Sequence, residues 1–587
     1  MAGSRERSFD FIVVGAGNSG AVVAGNLARA IPGPSVLLVE RGGDNQDPEL
    51  RVASERFTNV YINDAVKLRY ETVPQKNLNN RSLEYLRGQG LGGSSMANFC
   101  GYIRGSRSDY DTWAEMVDDD AFKWKNVVQR YCELENLHFT PDDDPDGFVR
   151  LRDGVHGFEG PVDLSLAARQ EWPTGLDKVM KASLQFGWPL NQDQNSGDLI
   201  GVGSISTTTY KGYRVTSASA YLSNPPANLT IWTHALATKL LFEKYGNSSK
   251  PKAIGVELAD GRKPRAKNEV ILALGTIDTP KLLMLSGIGP KEDLRQLGIP
   301  SLVNLPRLGK DMIDHNYVIV SWGANTELGT SVDRVRNAEL VETARKQWRK
   351  DRSGQDAWLN LSNLLAFVKY DPKRSPKTFE ELEKLDERTK KWIKHPQTPQ
   401  IELFLQGTVP EEFDTKNGPE CFMLGIMSMQ PQSRGTVRLA SKDPLEMPLI
   451  DPNYFDHPYD SRMMIEGVRE GFNLIKSTDL SKYIVGPNLT PASDSDEDIL
   501  KFLKTYLMPI LHPVGTVRMG SSNDHSACLD TDFRIRGVDG LRVMDLSVCP
   551  LITSNHTQAT AYVVGQLGWK QLQKEYGLKM TPPQQKL

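Results

Sequence analysis

The first motif with chemical meaning lies near the amino terminus of this 587-residue chain. It is Gly15-Ala16-Gly17-Asn18-Ser19-Gly20, a GxGxxG pattern of the kind that binds the pyrophosphate of a dinucleotide. Gly15 allows a tight turn, Gly17 lets the backbone approach the phosphates, and Gly20 allows a helix to pack closely on a strand. The pattern alone is also compatible with an ordinary turn, so its meaning depends on the elements around it.

The segments on either side of the glycines supply that context. Residues 10–14 are a short apolar run typical of a buried parallel strand, and residues 21–28 have the small and apolar spacing of a helix. A second predicted strand, residues 35–39, ends at Glu40, whose carboxylate is placed to accept hydrogen bonds from ribose hydroxyls and to repel a 2′-phosphate. The segment is therefore predicted to bind a dinucleotide other than NADP.

Composition argues against several other classes of function. Apolar residues make up 39% of the chain and charged residues 24%, as in an ordinary globular enzyme. Lys and Arg number 70 against 73 Asp and Glu, which leaves no positive surplus for a nucleic acid or an anionic membrane. No apolar stretch reaches the roughly 18 residues that span a bilayer. The five cysteines are far apart and form no CxxC pair, so we expect neither a disulfide framework nor a metal site.

Targeting signals favour the cytoplasm. Arg5 and Arg7 precede an apolar run that is too short for a secretory signal. The final residues Gln585-Lys586-Leu587 approach the Ser-Lys-Leu peroxisomal address but lack its first residue. We therefore expect a cytoplasmic protein, with the peroxisome as the alternative.

Longer motifs resemble the glucose–methanol–choline (GMC) family of flavin oxidoreductases. Residues 88–98 are similar to the first family signature and depart from it at Gln89 and Ala97. Residues 275–289 match the second signature at every defined position, and shorter similarities follow in family order at 214–222, 308–315, 431–435 and 541–547. The resemblance covers nearly the whole chain, and the catalytic motifs are most similar to those of aryl-alcohol oxidases.

The resemblance implies an α/β fold with a Rossmann-like FAD-binding domain and a substrate domain built on an antiparallel sheet. Residues 8–318 are expected to hold most of the FAD-binding domain, 319–524 mostly the substrate-binding cap with the catalytic histidine segment, and 525–575 the return to the FAD domain. The apolar runs 401–405 and 422–429 predict strands, and the alternation over 434–439 predicts a half-buried strand. Segments 138–160 and 373–399 are interpreted as solvated surface, with a lid over the substrate as the alternative.

The resemblance also implies FAD as the cofactor. Backbone N–H groups of the Gly-Gly-Ser-Ser turn can form a concavity for phosphate and ribityl oxygens, and Asn98 can hydrogen-bond a flavin edge. Relatives that attach their flavin covalently can carry a histidine where this chain has Ala97, so we expect noncovalent FAD. The residues expected to contact it are Gly15, Gly17, Asn18, Ser19, Gly20, Glu40, Arg41, Gly93, Ser94, Asn98, Ala237, Asp545, His556 and Thr557.

Two histidines fall on the catalytic positions of the family. Oxidation of an alcohol requires the hydroxyl proton to leave while a hydride passes to flavin N5, and an imidazole with a pKa near 6.5 can accept that proton at neutral pH. His512 is predicted to be this base. His556 is predicted to hydrogen-bond and orient the substrate oxygen, with the adjacent Asn555 as the alternative for that role.

Two other histidines are interpreted as having no part in catalysis. His315 follows Asp314, a pairing that suggests a carboxylate–imidazole dyad, but relatives carry the same pair as structure near the flavin domain. His525 lies among polar residues and is predicted to be exposed.

The predicted reaction is oxidation of a small primary alcohol, aryl or allylic, to an aldehyde, with oxygen or a quinone as the electron acceptor. The alternatives are a dehydrogenase of a sugar or another alcohol with a non-oxygen acceptor, a flavin-containing hydroxynitrile lyase, and a flavoprotein without turnover. Fatty-acid decarboxylation is disfavoured because Gln430 stands where those relatives have an arginine that can hold a carboxylate. Formate oxidation is disfavoured because His556 stands where the formate-oxidising relative has an arginine.

Overall fold

The computed structural model describes residues 7–45, 47–55, 63–172, 175–244, 250–329, 338–354, 364–406 and 420–580. Within these ranges, two seven-stranded sheets form the framework of the molecule. We call them the nucleotide sheet and the roof sheet. One is largely parallel and the other antiparallel, in agreement with the predicted fold class.

The nucleotide sheet contains, in spatial order, the strands Leu229–Trp232, Val36–Val39, Ser8–Val14, Arg265–Leu272, Pro251–Leu258 and Ala237–Lys244, and Leu541–Val543 also pairs with Arg265–Leu272. The neighbours of Ser8–Val14 on both sides run parallel to it. Phe11, Ile12, Val13 and Val14 are each at most 1% exposed, because a parallel strand inside such a sheet is covered on both faces. The helix Asn18–Arg29 follows after the glycine turn, so the predicted strand–turn–helix unit is confirmed.

The end of the chain returns to this unit. The helix Gln558–Glu575 packs against the helix Asn18–Arg29. Ser19 Oγ donates to the carbonyl of Ala561 at 2.6 Å, and Asn26 Nδ2 donates to Gln566 Oε1 at 3.1 Å. Gly565 permits the contact, because a Cβ there would lie 2.8 Å from the carbonyl oxygen of Ser19. The boundaries at residues 318 and 524 stay predictions.

The roof sheet contains, in spatial order, the strands Ile484–Leu489, Asn316–Ala324, Glu420–Ser428, Ile401–Gln406, Leu364–Val368 and Gly201–Ser204, and Met508–Pro509 also pairs with Asn316–Ala324. All of these pairings are antiparallel. The helix Pro458–Lys476 covers one face, where Gly467 lies close to side chains of Ile426 and Ile401. The strands predicted over 401–405 and 422–429 are confirmed here. The one predicted over 434–439 is shorter, Thr436–Arg438.

The remaining elements connect and cover the two sheets. The other α-helices of the described chain are Arg107–Val117, Trp124–Leu134, Leu176–Phe186, Ser217–Tyr221, Gly275–Leu285, Lys291–Gln296, Ala338–Asp351, Pro376–Leu382, Glu387–Lys394 and Asp496–Tyr506. The other strands are Ala30–Ile31, Lys67–Glu71, Glu84–Gly88, Gly101–Tyr102, Glu135–His138, Val162–Leu166, Ser206–Thr207, Thr209–Tyr210, Tyr213–Arg214, Ile288–Gly289, Val303–Asn304, Thr436–Arg438, Leu449–Asp451 and Lys579–Met580. None of the described helices has the length and apolar character to cross a membrane.

The segment 373–399 is anchored to the body of the protein. It forms the helices Pro376–Leu382 and Glu387–Lys394. Trp392 on the second helix is buried, and its Nε1 donates to Asp109 Oδ1 at 2.9 Å. The cavity described below is lined by no residue of 373–399 or of 138–160. Their role as lids therefore gains no support from the described structure.

Candidate active site

A cavity of about 540 Å³ lies between the carboxyl ends of the parallel strands and the roof sheet. One end is lined by residues that follow strands of the nucleotide sheet, and the other by Tyr317, Phe404 and Met423 of the roof sheet. Open parallel sheets bind their ligands at this edge. The position is therefore that expected for a nucleotide cofactor with a substrate beside it.

Glycine backbone lines the nucleotide end of the cavity. Gly15 has φ +101°, and a Cβ there would lie 2.3 Å from the carbonyl oxygen of Ala273. A Cβ on Gly93, which has φ +49°, would lie 2.6 Å from Cα of Gly17. These two glycines leave the amino terminus of the helix Asn18–Arg29 open to the cavity, where its N–H groups and dipole favour phosphate. The residues present thus fit a dinucleotide such as FAD.

Gly20 has a different function from the other motif glycines. It is absent from the cavity lining, and a Cβ there would lie 1.9 Å from the carbonyl oxygen of Gly15. This is the packing role predicted for it, without direct contact to a ligand. All the other residues predicted to contact FAD line the cavity: Gly15, Gly17, Asn18, Ser19, Glu40, Arg41, Gly93, Ser94, Asn98, Ala237, Asp545, His556 and Thr557.

Glu40 is bound mainly by the surrounding backbone. Its Oε2 accepts from the N–H of Ala16 at 3.0 Å, and its Oε1 accepts from the N–H groups of Gly42 at 2.9 Å and Gly90 at 3.1 Å. Burial raises the pKa of Glu40, and these hydrogen bonds oppose that shift. A carboxylate offers about four acceptor positions, so one remains for a ribose hydroxyl. Glu40 therefore also joins the two glycine turns, which the sequence did not indicate.

Asn98 is held in place by hydrogen bonds to the protein, including one from the N–H of Cys100 at 3.1 Å. Its Oδ1 accepts from the buried Arg214 guanidinium at 2.7 Å, and its Nδ2 donates to Gln558. Asp545 is likewise fixed, because it accepts from the N–H of Gly275 at 3.0 Å and from Thr279 Oγ1 at 2.6 Å. These contacts position both residues at the cavity wall before a ligand binds.

The segment that contains His512 is fixed through its backbone. Arg87 donates to the carbonyl of Leu511 at 2.6 Å, and Asp314 Oδ1 accepts from the N–H of His512 at 2.7 Å. Asp314 Oδ2 accepts from the hydroxyls of Tyr85 at 2.5 Å and Tyr454 at 2.6 Å. Burial raises the pKa of Asp314 to about 6, against the effect of these hydrogen bonds. None of its hydrogen bonds involves the His315 ring, so the absence of an Asp314–His315 dyad agrees with the sequence interpretation.

His315 nevertheless contacts the predicted base. Its Nε2 lies 3.1 Å from the carbonyl oxygen of Met429, and its Nδ1 lies 3.1 Å from Nδ1 of His512. Since a carbonyl only accepts, Nε2 of His315 carries a proton. Burial lowers the pKa of His315 to about 3, so the ring is neutral and its Nδ1 is an acceptor. His512 must then donate from Nδ1, which leaves its Nε2 unprotonated.

His512 is therefore a neutral imidazole with a free acceptor nitrogen. Burial lowers its pKa well below 6.5, and the positive charges of His556 and Arg87 act in the same direction. In the described chain Nε2 has no hydrogen-bond partner, and the residue lines the cavity. This is the state that a general base requires.

His556 lies beside His512, with ring centroids 5.3 Å apart. Its Nε2 is 2.8 Å from Oε1 of Glu402, a fully buried carboxylate on the roof strand Ile401–Gln406. Burial lowers the pKa of His556, but the Glu402 charge and hydrogen bond outweigh it and the net shift is upward. Asn555 instead hydrogen-bonds Thr560 and does not line the cavity. Of the two alternatives left by the sequence, His556 is the one at the cavity.

Sequence reasoning missed the contact of Glu402 with His556 and the contact of His315 with His512. Glu402 interrupts a run of apolar residues that predicts a buried strand, and a carboxylate in such a run was a signal of special function. His315 was identified but interpreted as structural. Only the fold shows that its ring reaches His512. His525 is exposed, as predicted.

The wall around the histidines is apolar. It consists of Phe99, Ile205, Tyr317, Ile319, Phe404, Met423, Met427, Met508 and Ile510. Three of these side chains are aromatic and three are flexible methionines, which adapt to irregular apolar ligands.

Known proteins resemble the chain along almost its whole length. Residues 9–317 and 431–565 match the amino-terminal and carboxyl-terminal parts of the family described as GMC oxidoreductase. The alcohol dehydrogenase (acceptor) of Pseudomonas putida is 30% identical over 574 residues, which are 95% of this chain and 94% of that protein. The oxygen-dependent choline dehydrogenase of Burkholderia pseudomallei strain 1710b is 30% identical over 572 residues, 95% and 93% of the two chains. Among solved structures, a formate oxidase variant of Aspergillus oryzae, studied for FAD modification, has a TM-score of 0.86 and 27% identity over 98% of this chain and 100% of that one.

Proposed function

Because the chain belongs to the GMC oxidoreductase family and is an FAD-dependent oxidoreductase of alcohols, we propose that its substrate is a small primary alcohol with an aryl or allylic group, which it oxidises to the aldehyde. The observation that carries this proposal is the position of His512 and His556 together at an apolar cavity wall. The wall suits a planar apolar group, and the histidines suit the hydroxyl.

In the proposed reaction the two histidines divide the work on the hydroxyl group. Nε2 of His512 accepts the hydroxyl proton, while His556 binds the oxygen and orients the carbinol carbon. Bound FAD supplies the acceptor for the hydride. The apolar wall excludes water, so that hydrogen bonds to the substrate oxygen act in a low-dielectric environment.

The walls support this substrate class over those of some relatives. The positive charge of Arg87 at the cavity, together with the pairing of Glu402 with His556, disfavours a quaternary ammonium group such as that of choline. A sugar presents several hydroxyls, each of which loses water on burial and needs a partner. The apolar wall offers few such partners.

We further propose that FAD is held noncovalently and that the enzyme acts in the cytoplasm. Ala97 lines the cavity and has no nucleophilic atom. Retention of flavin on the polypeptide after acid denaturation would contradict the first statement, and colocalisation with a peroxisomal marker would contradict the second. Oxygen and a quinone both remain candidates for the electron acceptor.

Anaerobic reduction of the holoenzyme by a panel of alcohols tests the proposed substrate class. We expect benzyl alcohol and an allylic alcohol to bleach the visible absorbance of the oxidised flavin. Choline and glucose should act at least about tenfold more slowly. Faster reduction by choline or glucose would refute the substrate class. Cleavage of a cyanohydrin with the flavin left oxidised would identify a lyase instead.

A further inference from the structure

The ring of His556 contacts the buried carboxylate of Glu402. We propose that Glu402 is a positioning residue that keeps His556 protonated, with Nδ1–H directed at the substrate oxygen. His556 is then a charged hydrogen-bond donor, whereas His512 is a neutral acceptor. This inference rests on the proposed function, because it assigns the two histidines opposite tasks toward the same hydroxyl group.

The geometry assigns the two ring nitrogens of His556 different partners. Nε2 faces Glu402 Oε1 at 2.8 Å, and the Glu402 side chain is fully buried on the strand behind it. Nδ1 has no hydrogen-bond partner in the described part of the chain. It lies 3.2 Å from the position that a Cβ on Gly101 would occupy, and Gly101 lines the same cavity. Nδ1 therefore faces the space available to a substrate.

The surrounding charges support a protonated ring. A buried carboxylate without a cation is costly, and an imidazolium is the partner that Glu402 contacts through Oε1. The other titratable groups facing His556 are His512 and, behind it, His315, and both are held neutral by burial. Arg87 donates to the carbonyl of Leu511, and its charge disfavours protonation of His512. Of these groups, only Glu402 favours a positive charge on His556.

A charged donor beside a neutral base has a direct chemical use. As His512 removes the hydroxyl proton, negative charge develops on the substrate oxygen, and a hydrogen bond from a cation strengthens as that charge grows. A neutral His556 with its proton on Nε2 would instead present a lone pair at Nδ1 and repel the same oxygen. Glu402 thus determines whether His556 helps or opposes the reaction.

The pH dependence of flavin reduction tests the role of Glu402. The charge and hydrogen bond of Glu402 raise the pKa of His556 against the effect of burial, so its ring keeps a proton to higher pH than it would without that carboxylate. In Glu402→Gln the carboxylate charge is gone, and only burial still acts on the pKa of His556. The alkaline limb of the pH profile of flavin reduction should therefore move to lower pH by about one unit or more. Reduction at pH 8 should fall by about tenfold. An alkaline limb at the wild-type position would overturn the proposal.

Binding of benzoate to the oxidised holoenzyme gives a second readout that does not depend on turnover. Its carboxylate can accept a hydrogen bond from Nδ1–H of His556 but has no proton for His512. We expect calorimetric affinity to decrease above the pKa of His556 and to be about tenfold lower in Glu402→Gln at neutral pH. Benzamide, which is uncharged, should lose less. Absence of benzoate binding to the wild type, or equal binding to the variant, would overturn the proposal.

Two other variants make the test specific. Glu470→Gln removes a buried carboxylate that accepts from Trp188 far from the cavity, and it should change neither the limb nor benzoate affinity. Gly101→Ala places a methyl group against Nδ1, so it should weaken benzoate binding about tenfold while the limb stays in place. Unchanged benzoate affinity in Gly101→Ala would contradict the direction of Nδ1. If no alcohol reduces the flavin, the proposed function fails, whereas benzoate titration still decides the charge of His556.

Discussion

The two ends of the cavity are built in different ways. The nucleotide end depends on glycines, which have no side chain. A Cβ on Gly93 would lie 2.6 Å from Cα of Gly17. The histidine end depends on side chains that fix each other's protons, from the carbonyl of Met429 through His315 to His512. A substitution at the first end should therefore act through volume, and one at the second end through the location of a proton.

Among the substitutions that distinguish the two ends, removal of His512, the proposed base, should have the largest effect. His512→Ala should slow flavin reduction by about a hundredfold or more and leave FAD bound, because general-base catalysis typically contributes about 10² to 10⁴. Stopped-flow absorbance with the best alcohol of the panel measures this rate. His525→Ala, at an exposed histidine, is the matched control and should behave as wild type. A wild-type rate in His512→Ala would exclude it as the base.

A methyl group at the nucleotide end should reduce cofactor binding without altering the histidines. Gly93→Ala adds a Cβ to a residue with φ +49° and places it against the backbone of Gly17. Strain of about 1–3 kcal/mol predicts an FAD affinity lower by roughly ten to a hundredfold. Gly261→Ala, which also has a positive φ but adds a Cβ to open space, is the control for backbone strain alone. Titration of the apoproteins with FAD distinguishes them, and equal affinities would contradict the steric explanation.

The smallest expected effect concerns the orientation of the base. His315→Leu removes the acceptor of His512 Nδ1–H, so kcat should fall by about tenfold with little change in KM, the value of roughly one hydrogen bond. His315→Gln should restore most of the rate, because an amide can donate to Met429 and accept from His512. Equal losses in the two variants would indicate that His315 acts by filling space.

The sequence identified the nucleotide end more completely than the histidine end. The glycine turn, its flanking strand and helix, and Glu40 follow one another within about thirty residues, so local pattern and chemistry could be recognised together. At the histidine end, Glu402 and His556 are 154 positions apart and belong to different elements. Their contact is created by the roof sheet, and no local pattern records it.

Resemblance located His512 and His556 but could not give their protonation states. The interpretation of His315 as structural was incomplete for the same reason, because the distance from its ring to His512 depends on how two remote segments pack. The segments 138–160 and 373–399, which were interpreted as solvated surface with a lid as the alternative, show a different limit of sequence reasoning. Charge and glycine content predicted exposed segments, whereas tertiary contacts such as Trp392 to Asp109 fixed one of them away from the cavity.

By itself, the sequence determined the dinucleotide turn, because that turn is encoded by residue types at short and regular spacing. The fold class and the two histidines followed from the resemblance of longer motifs to the GMC family. The tertiary structure alone decided which imidazole is neutral and which is paired with a carboxylate. Protonation depends on burial and on the nearest charge, and both arise only when distant segments pack together.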